Sequence, residues 1–211
     1  MNKMFIPHFL QRGVNKMRRD GGAMINEHLE EANRLFEEAM KESTNKINTF
    51  EKTFWYRQLS YSEQMISRQT ILYISEYMFD YHFQTLSEWD EVALQDILLD
   101  IFPHEIVAGP KFFEKAVIVL VKFFEFLHYH EQYPQGLSLA KKTKGLSDMI
   151  LVEVDSLLRH SPEENLLSLG EELGLDTSSL DDIDFLYKLA EAIQEKDARS
   201  QRIVPIKTRR I

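Results

Sequence analysis

The chain contains no cysteine. That removes disulfides, thiolate metal sites and cysteine nucleophiles together, and it fits a reducing cytoplasm, where we expect the protein to reside. Only 8 glycines and 6 prolines occur among 211 residues. Scarce backbone breakers favour long helices over many short strands and turns. Long apolar runs are missing too. The longest uncharged run of the central segment is Ala116–Val121, against the roughly 20 residues a membrane span needs. Near the start, Pro7 and His8 interrupt Phe5, Ile6, Phe9 and Leu10, which is too short for a secretory apolar region. No G-x-S-x-G, glycine-rich phosphate loop or G-K-[ST] is present. Nothing in the sequence argues for an enzyme, and no cofactor is implied.

What is present is one dominant apolar segment. Placed on a helix, residues 110–132 gather Lys111, Glu114, Lys115, Lys122 and Glu125 into one narrow stripe, with Ile118 the only bulky apolar residue inside it. Nearly all the rest is large and apolar. A helix apolar over most of its circumference must be wrapped by other helices. Val117–Val121 alone also fits a buried strand, but the stripe keeps helical spacing over four turns and no second strand offers to pair. At 44% hydrophobic and 28% charged residues, the chain can build one sizeable domain with extensions.

The net charge of -9 is uneven. Residues 61–160 hold 8 Lys and Arg against 15 Asp and Glu, whereas Arg199, Arg202, Lys207, Arg209 and Arg210 have no acid among them. The start is basic as well, with Lys3, Arg12, Lys16, Arg18 and Arg19. Residues 1–23 therefore read as a basic tail, as an organelle presequence, or as an upstream extension of the reading frame, since Met24 opens a cleaner helix. An acidic body suits nucleic acid poorly, but basic ends can touch anions or a partner's acidic face.

Ile25, Leu29, Ala32, Phe36 and Ala39 are spaced 4-3-4-3, a helical stripe with a coiled-coil-like seam. It either docks on its own domain or forms a partner or dimer seam. Residues 43–60 read as a polar connector whose aromatics, Phe50, Phe54, Trp55 and Tyr56, pack on the helical domain from residue 61 onward. Ser62 is expected to cap a helix reaching Phe83. Ser87 caps the next, which Pro103 stops. Tyr133–Gly136 is a turn signal, and after it comes a helix over 137–159 that Gly145 bends or divides. Ser161-Pro162 starts a short helix and Gly174 ends it. Ser179 with Asp182 resembles a capping box, and the last helix yields to a basic tail from about Lys196.

Few constellations carry chemistry. Asp96 and Asp100 lie four apart, a spacing that can bind a divalent ion or simply form a solvated face. His128 and His130 point about 200° apart on a helix and cannot easily share one ion. Asp80 and His82 are an equally weak pair. Lys141, Lys142 and Lys144 form the basic cluster of the body; with Arg209 and Arg210 they are the candidate anion contacts. No metal site is expected.

Two resemblances arise from the ordered helices. Ile97-Leu98-Leu99-Asp100-Ile101-Phe102-Pro103, Phe112-Phe113-Glu114, Phe123-Phe124-Glu125-Phe126-Leu127 and the stretch Ser161-Pro162 to Gly174-Leu175-Asp176 resemble an uncharacterised all-helical bacterial domain, sometimes found in proteins with a SEC-C zinc motif. The likeness covers about residues 50–195. That motif needs cysteines, so its zinc and any secretion role do not carry over. Tyr61-Ser62, Thr70, Ile71, Tyr73 and Phe79, with Phe123–Leu127, resemble the core-binding helical domain of tyrosine recombinases, which clamps DNA; the catalytic domain has no counterpart here.

These readings predict an all-α bundle around one buried helix, divided into a basic tail (1–23), an amphipathic helix with its aromatic connector (24–60), a helical domain (61–195) and a second basic tail (196–211). The expected function is a non-enzymatic bacterial interaction or accessory protein that self-associates or binds a protein partner. The alternative is a DNA-associated regulator.

Overall fold

The computed structural model describes the backbone of residues 22–159 and 161–201, and the side chains of 30–159 and 161–193. Among the described residues every regular element is helical. α1 is Gly22–Phe50, α2 Phe54–Arg57, α3 Tyr61–His82 and α4 Glu91–Asp96. They are succeeded by α5 Phe102–Glu105, α6 Pro110–Tyr129, α7 Gly136–Leu158, α8 Pro162–Glu172 and α9 Leu180–Gln201. A 3-10 turn at Leu86–Glu88 leads into α4, and a π-helical stretch at Ile97–Ile101 joins α4 to α5.

α6 is the buried centre. Its side chains from Phe112 to Leu127 are enclosed except along the charged stripe, where Lys111, Glu114 and Ile118 reach solvent. α3 and α7 pack on its two sides. Phe123 and Phe126 sit 5.5 and 5.4 Å from the Phe50 ring of α1, centroid to centroid. Each fully buried phenylalanine contributes about 1.5–3 kcal/mol of transfer free energy. This aromatic layer is therefore a main source of cohesion.

Burial overrides local composition in α1. The connector expected over residues 43–60 does not open at 43; the helix runs to Phe50 because Ile47 and Phe50 both point into the core, each at 0% exposure. Thr44 and Thr49 donate their hydroxyls to the carbonyls of Met40 and Asn45, so they consume no helical donor. The connector shrinks to the turns around α2, where Trp55 stacks on Tyr129. α1 runs antiparallel to α3: Phe36 meets Phe79, and Glu51 and Asn48 accept hydrogen bonds from Arg68. Its far end is held at the α6–α7 corner by the Lys46–Glu131 ion pair and by Tyr133, whose hydroxyl donates to Glu42.

Several boundaries differ from the sequence reading for local reasons. Ser60, not Ser62, caps α3 in a reciprocal box with Glu63. Asp90 caps α4 directly, accepting from the N–H groups of Val92 and Ala93. Pro103 does not end its helix. The Phe102 N–H donates to the Ile97 carbonyl, five residues back. Pro103 thus enters a fresh turn, where no donor is required of it. Gly145 does not split α7, which is one continuous helix. Gly136 starts α7 where a Cβ would lie 2.7 Å from the Phe124 carbonyl oxygen, so only glycine allows this close crossing of α6 and α7. Ser161 and Pro162 start α8, and Gly174, at φ 77°, comes just after its end. Helix α6 ends at Tyr129, and α9 continues past Lys196 to Gln201.

Candidate functional site

The proposed seam is divided by the structure. Phe36 and Ala39 are buried against Phe79 of α3 in a small cluster apart from the main core, with Met40 beside them. Ala32 is half-buried. Ile25 and Leu29 lie on described backbone, but their side chains are outside the described residues. α3 stops shortly after Phe79: its last residue is His82, capped by Phe83. α1 starts at Gly22, about 21 Å before Phe36 at 1.5 Å per residue. Its first turns therefore run beyond the end of the helix it packs on.

The anion candidates do not converge. Lys141 and Lys144 are exposed one turn apart on α7, whereas Lys142 is half-buried to the side. Arg209 and Arg210 fall outside the described residues. Asp96 accepts from the His82 Nε2 at 2.8 Å, and Asp100 is exposed beyond the start of the π-turn. His82 thus pairs with Asp96 rather than Asp80. His128 Nδ1 meets the Tyr133 carbonyl, while His130 meets Glu131 and packs against Trp55. No group of three or more His, Asp or Glu is placed to hold a metal ion among the described residues.

Two polar clusters escaped the sequence reading. The first lies on α3 and α5. Tyr73, Tyr77 and Tyr81 form an i, i+4 ladder, stacked or edge-on at 6.1 and 6.4 Å. Beside it stand Glu76, Asp80 and Glu105, and the Tyr81 hydroxyl donates to Glu105 at 3.1 Å. Burial, reinforced by the charges of Asp80 and Glu105, pushes the Glu76 carboxyl up to about 7. The same burial raises the Tyr77 phenol. Glu76 with Asp80 and the tyrosine ladder are legible as i, i+4 spacings; Glu105 is brought in only by the turn after the π-helix.

The second cluster joins α6 to the turn before α9. Lys115 donates to the Ser178 hydroxyl, which donates to Asp176 Oδ1, each at 2.5 Å. The Ser178 hydroxyl and N–H hold the Asp176 carboxyl below its usual range. A cleft of about 320 Å³ lies alongside, lined by Tyr61, Met65, Lys115 and Ser179 among others. Ser178 is 1% exposed, and its oxygen is already engaged on both sides. The arrangement is a clasp between helices, not an exposed nucleophile.

These features define a strand-free helical bundle among the described residues, with none of its helices long and apolar enough to cross a membrane. No protein-family model, curated protein or solved structure matches the chain.

Proposed function

We propose that the chain is a non-enzymatic helical interaction protein whose contact element is the first half of α1. The observation that carries this is the overhang. α1 meets α3 at Phe36 and Phe79, yet it begins four turns earlier, while α3 continues for only about 4.5 Å past Phe79, to His82. Two to three turns of amphipathic helix therefore extend past their support, carrying Ile25 and Leu29 in register with Ala32 and Phe36. An amphipathic helix in this position suits a helix groove or a second copy of itself. The likeness to the uncharacterised bacterial helical domain belongs to the same reading, as an accessory module without metal.

The test is solution mass by light scattering, for the native chain and for Leu29→Glu, with cross-linked partners identified in both. Self-association or a partner lost in Leu29→Glu supports the reading. A native monomer whose partners are unchanged by Leu29→Glu defeats it.

The second reading, a DNA-associated regulator, draws on the exposed pair Lys141 and Lys144 on one face of α7. It requires DNA affinity that falls steeply with salt and weakens in Lys141→Glu with Lys144→Glu. Absence of binding at low salt removes it.

A further inference from the structure

α7 keeps one full face in water. Opposite its buried Leu139, Leu146, Ile150 and Val154, the residues Lys141, Gly145, Asp148 and Val152 recur at 4-3-4 spacing, and all four are exposed. Leu137 and Met149 flank this strip, and Met149 and Val152 are 54% and 69% exposed. No ion pair within the described residues engages Lys141, Lys144, Asp148 or Asp155. The face is open and its charges are uncompensated.

Those charges are sorted along the helix. Before Gly145 stand Lys141, Lys142 and Lys144 without an acid; after it Asp148, Glu153 and Asp155 follow without a base as far as Leu158. A lone helix gains nothing from this order. Cations favour the C-terminal end of a helix and acids the N-terminal end, and a lysine four residues before its acid, as in Lys144 and Asp148, is the weaker orientation. For a second copy running antiparallel the order is favourable, because its acidic half lies beside the basic half of the first. Gly145 marks the crossing. Lys141 lies about 6 Å before it and Asp148 about 4.5 Å after it along the axis. A two-fold axis there brings each lysine level with the other copy's aspartate, twice over. Val152 comes level with the other copy's Leu137 in the same way. At Gly145 a Cβ would find nothing within 4 Å in its own chain. Glycine weakens a helix interior, but it lets a second backbone approach closely.

We propose that this face of α7 is a homodimer surface, on which two copies cross antiparallel at Gly145 with Lys141 of each against Asp148 of the other and Val152 against Leu137. Charge selects a second copy as the occupant, because one strip supplies both signs in the order that its own reversal complements. The proposal does not rest on α1, whose contact is tested separately by Leu29→Glu.

The test is the mass of the purified full chain by light scattering, from about 1 to about 300 μM. The expected result is a dimer that Leu29→Glu leaves intact. Lys141→Glu alone and Asp148→Lys alone should each raise the dissociation constant about tenfold or more at unchanged helix content, since the axis repeats every reversal. An equimolar mixture of the two variants should restore the dimer, because each then meets the opposite charge at both positions. Gly145→Gln introduces a better helix former, so it should keep the fold and lose the dimer. A chain that stays monomeric over the whole range overturns the proposal. A dimer indifferent to both reversals overturns it as well, and so does a mixture of the variants that fails to pair. A dimer lost in Leu29→Glu and untouched by the reversals assigns self-association to α1 and overturns it too.

Discussion

Phe36 of α1 meets Phe79 of α3 edge-on, with ring centroids 5.6 Å apart and planes at 67°. With Ala39 the pair forms a satellite cluster outside the main core, and it stands where α1 begins to outrun α3. Phe79→Ala removes a buried aromatic and leaves a cavity. The expected loss is about 3–5 kcal/mol, read from urea denaturation. A loss below about 1 kcal/mol would mean that this end of α1 is not held there.

Two glycines of α7 respond in opposite directions. At Gly136 a Cβ meets the Phe124 carbonyl and the His128 backbone, all within 2.9 Å. Gly136→Ala must push α6 and α7 apart and should cost about 1–3 kcal/mol. At Gly145 a Cβ meets nothing within 4 Å. Gly145→Ala should stabilise by about 0.5–1 kcal/mol through helix propensity and a less flexible unfolded chain. Equal effects of the two substitutions on the denaturation midpoint would contradict this crossing geometry.

Stability should fall with rising pH near neutrality. The Glu76 carboxyl titrates at about 7 in the fold and at its ordinary 4.5 when unfolded. Between those values the folded state retains a proton that the unfolded state releases. The contribution is complete below 4.5 and lost as pH rises through about 7. Asp90 and Asp176 act in the opposite sense. The Ala93 N–H and the Ser178 hydroxyl hold these carboxyls below 3.8, so their contribution is present above that pH and lost on acidification. Thermal midpoints measured from about pH 5 to about pH 8 should decline, and Glu76→Gln should flatten the slope. An unchanged slope in Glu76→Gln rejects the assignment.

The Lys115–Ser178–Asp176 clasp should act locally. It ties the turn before α9 to the central helix, assisted by the Gly109 N–H, which donates to the Thr177 carbonyl. Ser178→Ala leaves Lys115 with only the more distant Asp176 and should cost about 1–3 kcal/mol. Hydrogen exchange should quicken in α9, where Ile183 and Leu186 are the buried anchors, and not in α6. Equal acceleration in both helices would show that the clasp supports the whole core.

Where one residue's solvent preference decides its place, the sequence alone was readable. The charged stripe of α6 appeared in register because each turn needs one water-facing side, and Ser161-Pro162 began α8 because cap and first-turn geometry are local. The errors occurred where a distant contact outweighed composition. The stretch from residue 43 looks polar enough to open a connector, yet Ile47 and Phe50, three residues apart, bury completely and hold the helix together. The partner of Asp96 was not legible either, since His82 comes from the preceding helix.

Scarce glycine and proline, missing cysteine and one nearly all-apolar segment were enough to dictate a helical bundle around α6, because these are statements about backbone freedom and the cost of leaving apolar surface in water. Which residues meet was decided by packing. Antiparallel docking of α1 on α3 seals Phe36 and Ala39 against Phe79 and carries the first turns of α1 past its support. The turn after the π-helix brings Glu105 to Tyr81 beside Glu76 and Asp80. Spacing along one helix cannot encode such meetings. They depend on the lengths and crossings of separate helices, and those are set only when the core closes.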